Sequence, residues 1–396
     1  MDDYSVLKTE YAGDRTALLL FEITVVITVA SQIDAIQRVL RPVMYAMWII
    51  MFLYLIARSG GSLPMSHFSK TYIAEYVLYI LYCLVCTMLG SNHMSGNYVT
   101  VLVTPLVVTL VASLMRGRIN RDSLMSIMKV YVIVTLIFAL YCNIRYFPSY
   151  SEWLGRNIYA FRQKNSAAQI WFSAAFIVFF MVAPSSKPGA GRTLWYVAAA
   201  YLVFVGGMSQ CRTAILATAV VVIYQVLRHS KHKITWIVIF IAAAVLLWNI
   251  PATREYISQA IFLEKYRGTN LDTFSSGRLT LCRRAINVIR NNFLIGTGKY
   301  YVDMSYLMIL AESGIIGFII IETIWIRRIV SNFRNEKAIG TFSARILDSL
   351  VVFYLVESLL EGYPPFGAGV CSFMFWFLSE MSEHFPKQIE AGKEQA

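Results

Sequence analysis

The feature that most limits the fold of this chain is a succession of apolar stretches, each close to a bilayer in length, running from residue 17 to residue 382. About 18 or more apolar residues suffice to cross the hydrocarbon core as an α-helix. Inside that core every backbone N–H and C=O needs a partner within the protein, which a helix supplies along its own length. Composition agrees: 57% of the residues are hydrophobic and only 15% are charged, against about 25% charged in soluble domains. The expected fold is an all-α polytopic membrane protein, with residues 1–396 forming one integral membrane domain. Twelve spans are expected, near 17–33, 42–57, 71–90, 98–115, 124–144, 167–184, 193–208, 213–227, 234–250, 304–325, 346–360 and 365–382. The chain opens on the acidic MDDYSVLKTE. A cleavable signal starts basic, so none is expected.

The net charge is +12. In a membrane protein, lysine and arginine first report topology and contact with anionic lipid, so no nucleic-acid partner is expected. Basic residues recur in the short loops at 116–123 (Arg116, Arg118, Arg121), 185–192 (Lys187, Arg192), 228–233 (Arg228, Lys231, Lys233) and 326–345 (Arg327, Arg328, Arg334, Lys337, Arg345). Alternation puts all four on one side, and the positive-inside rule makes that side the cytoplasm, with both termini. The loops at 91–97 and 361–367 carry no lysine or arginine, as outer loops should.

Two outer loops depart from this pattern. The first, 145–166, holds Arg145, Arg156, Arg162 and Lys164. The second, 251–303, is the one long polar interval in the chain and holds Arg254, Lys265, Arg267, Arg278, Arg283, Arg284, Arg290 and Lys299. Topology does not require this charge. It is either a solubilising surface or a binding surface for an anion at the outer face of the membrane. An amphipathic lipid diphosphate fits the second reading, because arginine gives phosphate oxygens paired donors.

Between the seventh and eighth spans lies the tight hairpin SQCRT. Each arm is short for a bilayer, so Arg212 is expected below the outer surface, snorkelling outward or facing a cavity. From Ser276 to Asn292 the spacing predicts a short helix, with Leu279, Cys282, Ala285, Ile286 and Ile289 on one face. Ser275 or Ser276 can cap it, and Gly296 and Gly298 follow its end. Arg283 and Arg290 share a flank, whereas Arg278 falls on the apolar face. A buried arginine needs a partner, either a carboxylate or a substrate. Asp272 is the one carboxylate nearby in sequence. Several carboxylates, among them Glu22, Glu75, Glu312 and Glu357, lie inside expected spans. Such residues pair with arginine or serve function. Asp303 sits where the basic loop meets the tenth span. It suits helix capping or acceptance of a proton from a hydroxyl.

The six cysteines fall mostly in apolar runs, and the lone Cys83-x-x-Cys86 has no second pair. No zinc signature, Walker loop or dinucleotide fingerprint occurs, so no metal or cofactor is expected. Aromatic residues crowding the outer loops suit interfacial belts.

Four stretches in order, RQKNSAA at 162–168, SQCRTAIL at 209–216, SGRLTLCRRAINVIRNNFLIGTG at 276–298 and DMSYLMILAESGIIG at 303–317, resemble the bacterial O-antigen polymerase and ligase superfamily, whose polymerases are of the Wzy type. The first is similar to the family's Lys-Asn step before a span. The second is similar to its Ser-x-Ser-Arg-Thr-Ala hairpin. The third resembles its Ser-Gly-Arg helix closing on a Gly-x-Gly turn, and the fourth its Asp-Asn-Ser-Tyr or His-Asn span start. The likeness covers residues 160 to 325; the first 140 residues match only as generic spans. Cys282 stands where many members carry tryptophan, Leu294 where proline is frequent, and Met304 where asparagine is usual. No histidine lies near Asp303, as one typically does in ligases, which favours polymerase.

The resemblance implies an inverting, metal-independent GT-C-like glycosyltransferase without cofactor. Its donor would be a glycan on undecaprenyl diphosphate at the outer face of the bacterial cytoplasmic (inner) membrane. The growing chain would pass onto a new lipid-linked repeat unit, and a chain-length regulator protein is a partner such an enzyme admits. On this reading Arg212 and Arg278 hold the donor diphosphate. Arg283, Arg284 and Arg290 guide lipid phosphates or shape the loop. Arg162 and Lys164 engage the second lipid-linked partner, and Asp303 is the base. The alternatives are an O-antigen ligase with a lipid A–core acceptor, and a transporter or flippase of lipid-linked glycans.

Overall fold

The computed structural model describes residues 14–146, 164–258, 272, 275 and 277–382, except positions 62, 117 and 340 and the stretch 368–370. Arg162 lies outside the described residues, as does most of the first basic outer loop. Regular structure among the described residues is entirely helical. In chain order the helices are α1 (Arg15–Ala30), α2 (Gln37–Arg58), α3 (His67–Met88), α4 (Asn97–Met115), α5 (Arg121–Tyr146), α6 (Lys164–Ser185) and α7 (Ala190–Met208). Then follow α8 (Arg212–His229), α9 (Lys233–Asn249), the short α10 (Pro251–Tyr256), α11 (Arg278–Asn291), α12 (Ser305–Ile339), α13 (Thr341–Leu360) and α14 (Phe373–Ser382).

A helix lies along most of each of the first eleven expected spans, but over the twelfth, 365–382, the helix covers only Phe373–Ser382. Six are long and apolar enough to cross a membrane by themselves: α2, α3, α4, α5, α6 and the Ser305–Phe333 part of α12. The arms of the SQCRT hairpin run longer than the apolar runs suggested, 19 residues in α7 and 18 in α8. The helices continue through polar ends such as Arg192 and Arg228, so each reaches about 27–29 Å at 1.5 Å per residue.

The core is aromatic. Trp376 stacks on Phe366 with centroids 5.7 Å apart, and Trp325 meets Phe375 edge-on at 5.6 Å. Such offset and edge-on pairs are the arrangements favoured by ring quadrupoles. The α8 helix lies along α13, α1 along α5, α6 along α7, and α14 along α4. The α9 helix is different. It is apolar all round and none of its residues is buried; Ile234 is 79% exposed and Leu246 65%. A helix of that kind is stable where hydrocarbon surrounds it.

One irregularity positions everything near α11. The α12 helix breaks at Gly314, where φ is 60° and ψ −173°. The Gly296-Thr297-Gly298 turn docks into that break. Thr297 N donates to Ala311 O at 3.0 Å, Gly298 N to Glu312 O at 2.8 Å, and Ile315 N to Phe293 O at 2.8 Å. Tyr82 Oη lies 3.0 Å from Ile295 O and 2.7 Å from Ser313 O. Non-helical backbone is tolerated at membrane depth when protein covers it in this way. A Cβ on Gly296 would meet Glu312 O at 2.4 Å, and one on Gly314 would meet Leu294 O at 2.4 Å. The glycines therefore allow two backbones to touch, which goes beyond ending α11.

The intramembrane carboxylates mostly tie helices together. Glu22 accepts from Ser126 Oγ at 2.6 Å, and Glu75 pairs with Arg327 at 3.0 Å. Glu312 accepts from Asn97 Nδ2 at 2.7 Å and Tyr98 N at 3.0 Å. The basic tract at 326–345 is not the loop expected there. Its first residues continue α12, and Arg328 is fully buried against Glu380.

Candidate functional site: a carboxylate hub among helix N-termini

The N-terminal ends of α6, α8, α11 and α12 meet at one end of the bundle, beside the residue that follows α13. Lys164 is the first residue of α6, Arg212 of α8 and Arg278 of α11. Helix N-termini carry partial positive charge, so cations there are disfavoured by the macrodipole. Three such placements at one end cost stability unless an anion compensates, and helix N-termini with unpaired N–H groups are natural anion sites.

Glu361 is the anion the protein itself supplies. Arg278 Nη2 lies 2.9 Å from Oε1, and Thr213 Oγ1 donates to the same oxygen at 3.0 Å. Asn165 Nδ2 donates to Oε2 at 3.0 Å. The Cys211 thiol in turn points at Asn165 Oδ1, 3.3 Å away. Lys164 is within electrostatic reach of Arg212, Arg278 and Glu361. Burial pushes the Glu361 carboxyl above the usual range, and the Arg278 guanidinium pulls it back. One turn earlier, the fully buried Glu357 accepts from Gln169 Nε2 at 3.0 Å.

Asp303 flanks this hub, its Oδ2 4.0 Å from Arg278 Nε. Its other oxygen accepts from Tyr301 Oη at 2.6 Å. Burial, then the adjacent Asp303 carboxylate, pushes the Tyr301 phenol upward. The side chains of Arg278 and Asp303 remain 26% and 30% exposed, so the pair is open to a ligand, whereas Glu361 at 11% sits beneath it.

The α11 helix begins at Arg278, two residues later than the spacing predicts. Gly277 precedes it with φ 80°, the left-handed region where glycine is the favoured residue. Ser275 Oγ accepts from Leu279 N at 3.3 Å. Asp272 accepts from Thr280 N at 2.7 Å and Thr280 Oγ1 at 2.8 Å, and those bonds hold its carboxyl below the ordinary value. Gly277, Ser275 and Asp272 thus set where α11 starts, the candidate cap Ser276 lying outside the described residues, and the docked C-terminal turn sets where it ends. Together they deliver Arg278 to Glu361.

Of the residues singled out by sequence, Lys164, Arg212, Arg278 and Asp303 gather here. Arg283, Arg284 and Arg290 do not: all three are exposed along α11, with Arg283 within electrostatic reach of Asp272. Sequence reasoning missed Glu361, Thr213 and Asn165 as site residues. Glu361 lay in a loop read only for its lack of basic charge. The available signal was Glu357 and Glu361, four residues apart at the end of an apolar run, which places both on one helical face. No family model matches the chain, and no curated protein sequence matches it.

Proposed function

We propose that the chain is a polysaccharide polymerase that joins undecaprenyl-diphosphate-linked repeat units by glycosyl transfer at the outer face of the bacterial cytoplasmic membrane. The observation that carries this reading is the meeting of all four resemblance-bearing stretches around Glu361. Asn165, Thr213 and Arg278 touch its carboxylate, and Asp303 approaches Arg278. The same four stretches are scattered over more than 130 residues of sequence. On the proposed topology the chain crosses the membrane twelve times, both termini are cytoplasmic and the hub faces outward.

The chemistry follows from charge. Transfer breaks the bond between the donor's anomeric carbon and a diphosphate oxygen, and the electron pair leaves with the diphosphate. Arg278 and Arg212 stabilise the charge that develops on those oxygens. Such stabilisation in a site shielded from water is worth roughly 100-fold to 1,000-fold per donor. The acceptor hydroxyl attacks the anomeric carbon from the opposite face, inverting it, and Asp303 takes its proton. The diphosphate is already an activated leaving group, so the step requires no nucleotide.

Arg278→Ala in cells carrying the polymer tests this. The expected outcome is loss of polymer with unchanged amounts of protein in the membrane. Normal polymer length and yield in that variant would remove Arg278 from the site.

A further inference from the structure

We propose that Glu361 is a stand-in for the substrate's phosphate: it aims Arg278 in the empty protein and hands it over when a diphosphate enters. The inference rests on the reading above that this cluster receives a lipid diphosphate, and it gives Glu361 a positioning role rather than a part in bond-making.

The geometry points this way for three reasons. First, Glu361 collects donors from three separate helix starts, on α6, α8 and α11. A flat anion gripped by a guanidinium, a hydroxyl and an amide is the arrangement a phosphate face also needs. Second, Arg278 is the donor with room to leave. Thr213 and Glu361 are buried, and half-buried Asn165 is also tied to the Cys211 thiol, whereas the Arg278 side chain is 26% exposed at the first residue of its helix beside left-handed Gly277. When Arg278 turns to a ligand, Thr213 and Asn165 still hold the carboxylate, so no buried charge is stranded. Third, charge is close to balanced before the ligand arrives. Lys164, Arg212 and Arg278 face Glu361 and Asp303, with Glu357 buried behind. A diphosphate therefore competes with Glu361 for Arg278 instead of meeting an unopposed cation.

A double-mutant cycle on the full-length protein in lipid nanodiscs separates competition from simple repulsion. The probe is a short-chain polyprenyl diphosphate, and its affinity is measured for the wild type, Glu361→Gln, Arg278→Ala and the double variant. Competition predicts at least fivefold tighter binding in Glu361→Gln and at least tenfold weaker binding in Arg278→Ala. In the Arg278→Ala background the Glu361 change then shifts affinity less than twofold, because nothing is left to compete for. Equal factors in both backgrounds overturn the proposal, since the carboxylate would then only repel. Unchanged or weaker binding in Glu361→Gln overturns it too.

If Glu361→Gln is not recovered from membranes, Glu361→Asp decides. It keeps the charge but draws the carboxylate back from Arg278, so tighter binding supports competition and unchanged binding contradicts it. The same variants are scored for polymer. The predicted binding pattern with polymer intact in Arg278→Ala keeps the stand-in and removes this hub from the polymerase reaction. Lost polymer with equal factors does the reverse. No binding by any variant overturns both.

Discussion

Two arginine–carboxylate clusters sit at opposite ends of the α12 helix, and they are built for opposite purposes. Near Ser305, Glu361 meets Arg278, whose side chain is 26% exposed, with Thr213 and Asn165 as neutral co-donors. At the other end Glu380 takes Arg116 on one oxygen and Arg328 on the other, each at 2.6 Å. Glu380 and Arg328 are both fully buried, and Arg328 lies 3.4 Å from the centroid of the Phe68 ring. Arg116 also donates to the backbone carbonyl of Glu380 at 2.8 Å. Removing one partner of a buried pair strands the other's charge in a medium of low polarity, whereas an exposed partner can turn to water or to a ligand. One cluster is therefore a clasp between α3, α12 and α14. The other is a site whose central contact can open.

The largest expected effect belongs to the clasp. Glu380→Ala leaves Arg328 buried without its carboxylate, at a cost of about 3–5 kcal/mol. The variant should be nearly absent from the membrane, and any recovered protein should melt well below the wild type in detergent. A normal yield and melting temperature would erase the distinction drawn between the two ends.

Asp303→Asn sharpens the open end. The carboxamide keeps the size and the hydrogen bond from Tyr301 but cannot take a proton. Loss of a general base slows turnover by roughly 100-fold to 10,000-fold. With purified protein and lipid-linked repeats, kcat should fall while KM for the donor stays nearly constant. A change confined to KM would make Asp303 a binding residue.

A smaller, several-fold effect is expected from pH. Burial raises the Glu361 carboxyl above its usual value, so its protonated form persists to higher pH than in an exposed carboxyl. Protonation removes the charge that holds Arg278. Diphosphate affinity should rise as pH falls through that raised value. The facing charged and titratable groups are Lys164, Cys211, Arg212, Arg278, Tyr301, Asp303 and Glu357. Glu361→Gln removes this contribution, leaving only the ligand's own titration. A profile identical in both proteins would exclude Glu361 as its source.

The smallest effect is expected on the outer face of α11. Arg290→Ala alters an exposed side chain away from the hub, so polymer yield should change less than twofold. A loss as deep as that of Arg278→Ala would show that the exposed stripe belongs to the site.

Much of the helix pattern was legible because apolar runs and helix punctuation are local properties. The start of α11 is misplaced by only two residues, and its Gly-x-Gly exit is visible in the sequence. What that exit docks into was not legible, since the break at Gly314 lies beyond the next loop. The partner of Arg278 was also hidden. Asp272 was the near candidate, but its oxygens are taken by Thr280, and Glu361 comes from 83 residues away. Arg328 misled for a related reason. A basic residue at a span end reads as a loop residue, until a distant Glu380 folds over it.

The most direct test of the central claim is a gel of surface and lipid-linked glycans from cells lacking this gene, with and without the wild-type copy restored. The account predicts loss of the ladder, with single repeat units still attached to the final acceptor, and recovery on restoration. Long chains accumulating on the lipid carrier would instead mean a ligase. Repeat units trapped on the cytoplasmic side would mean a flippase and would contradict the catalytic roles given to Arg278 and Asp303.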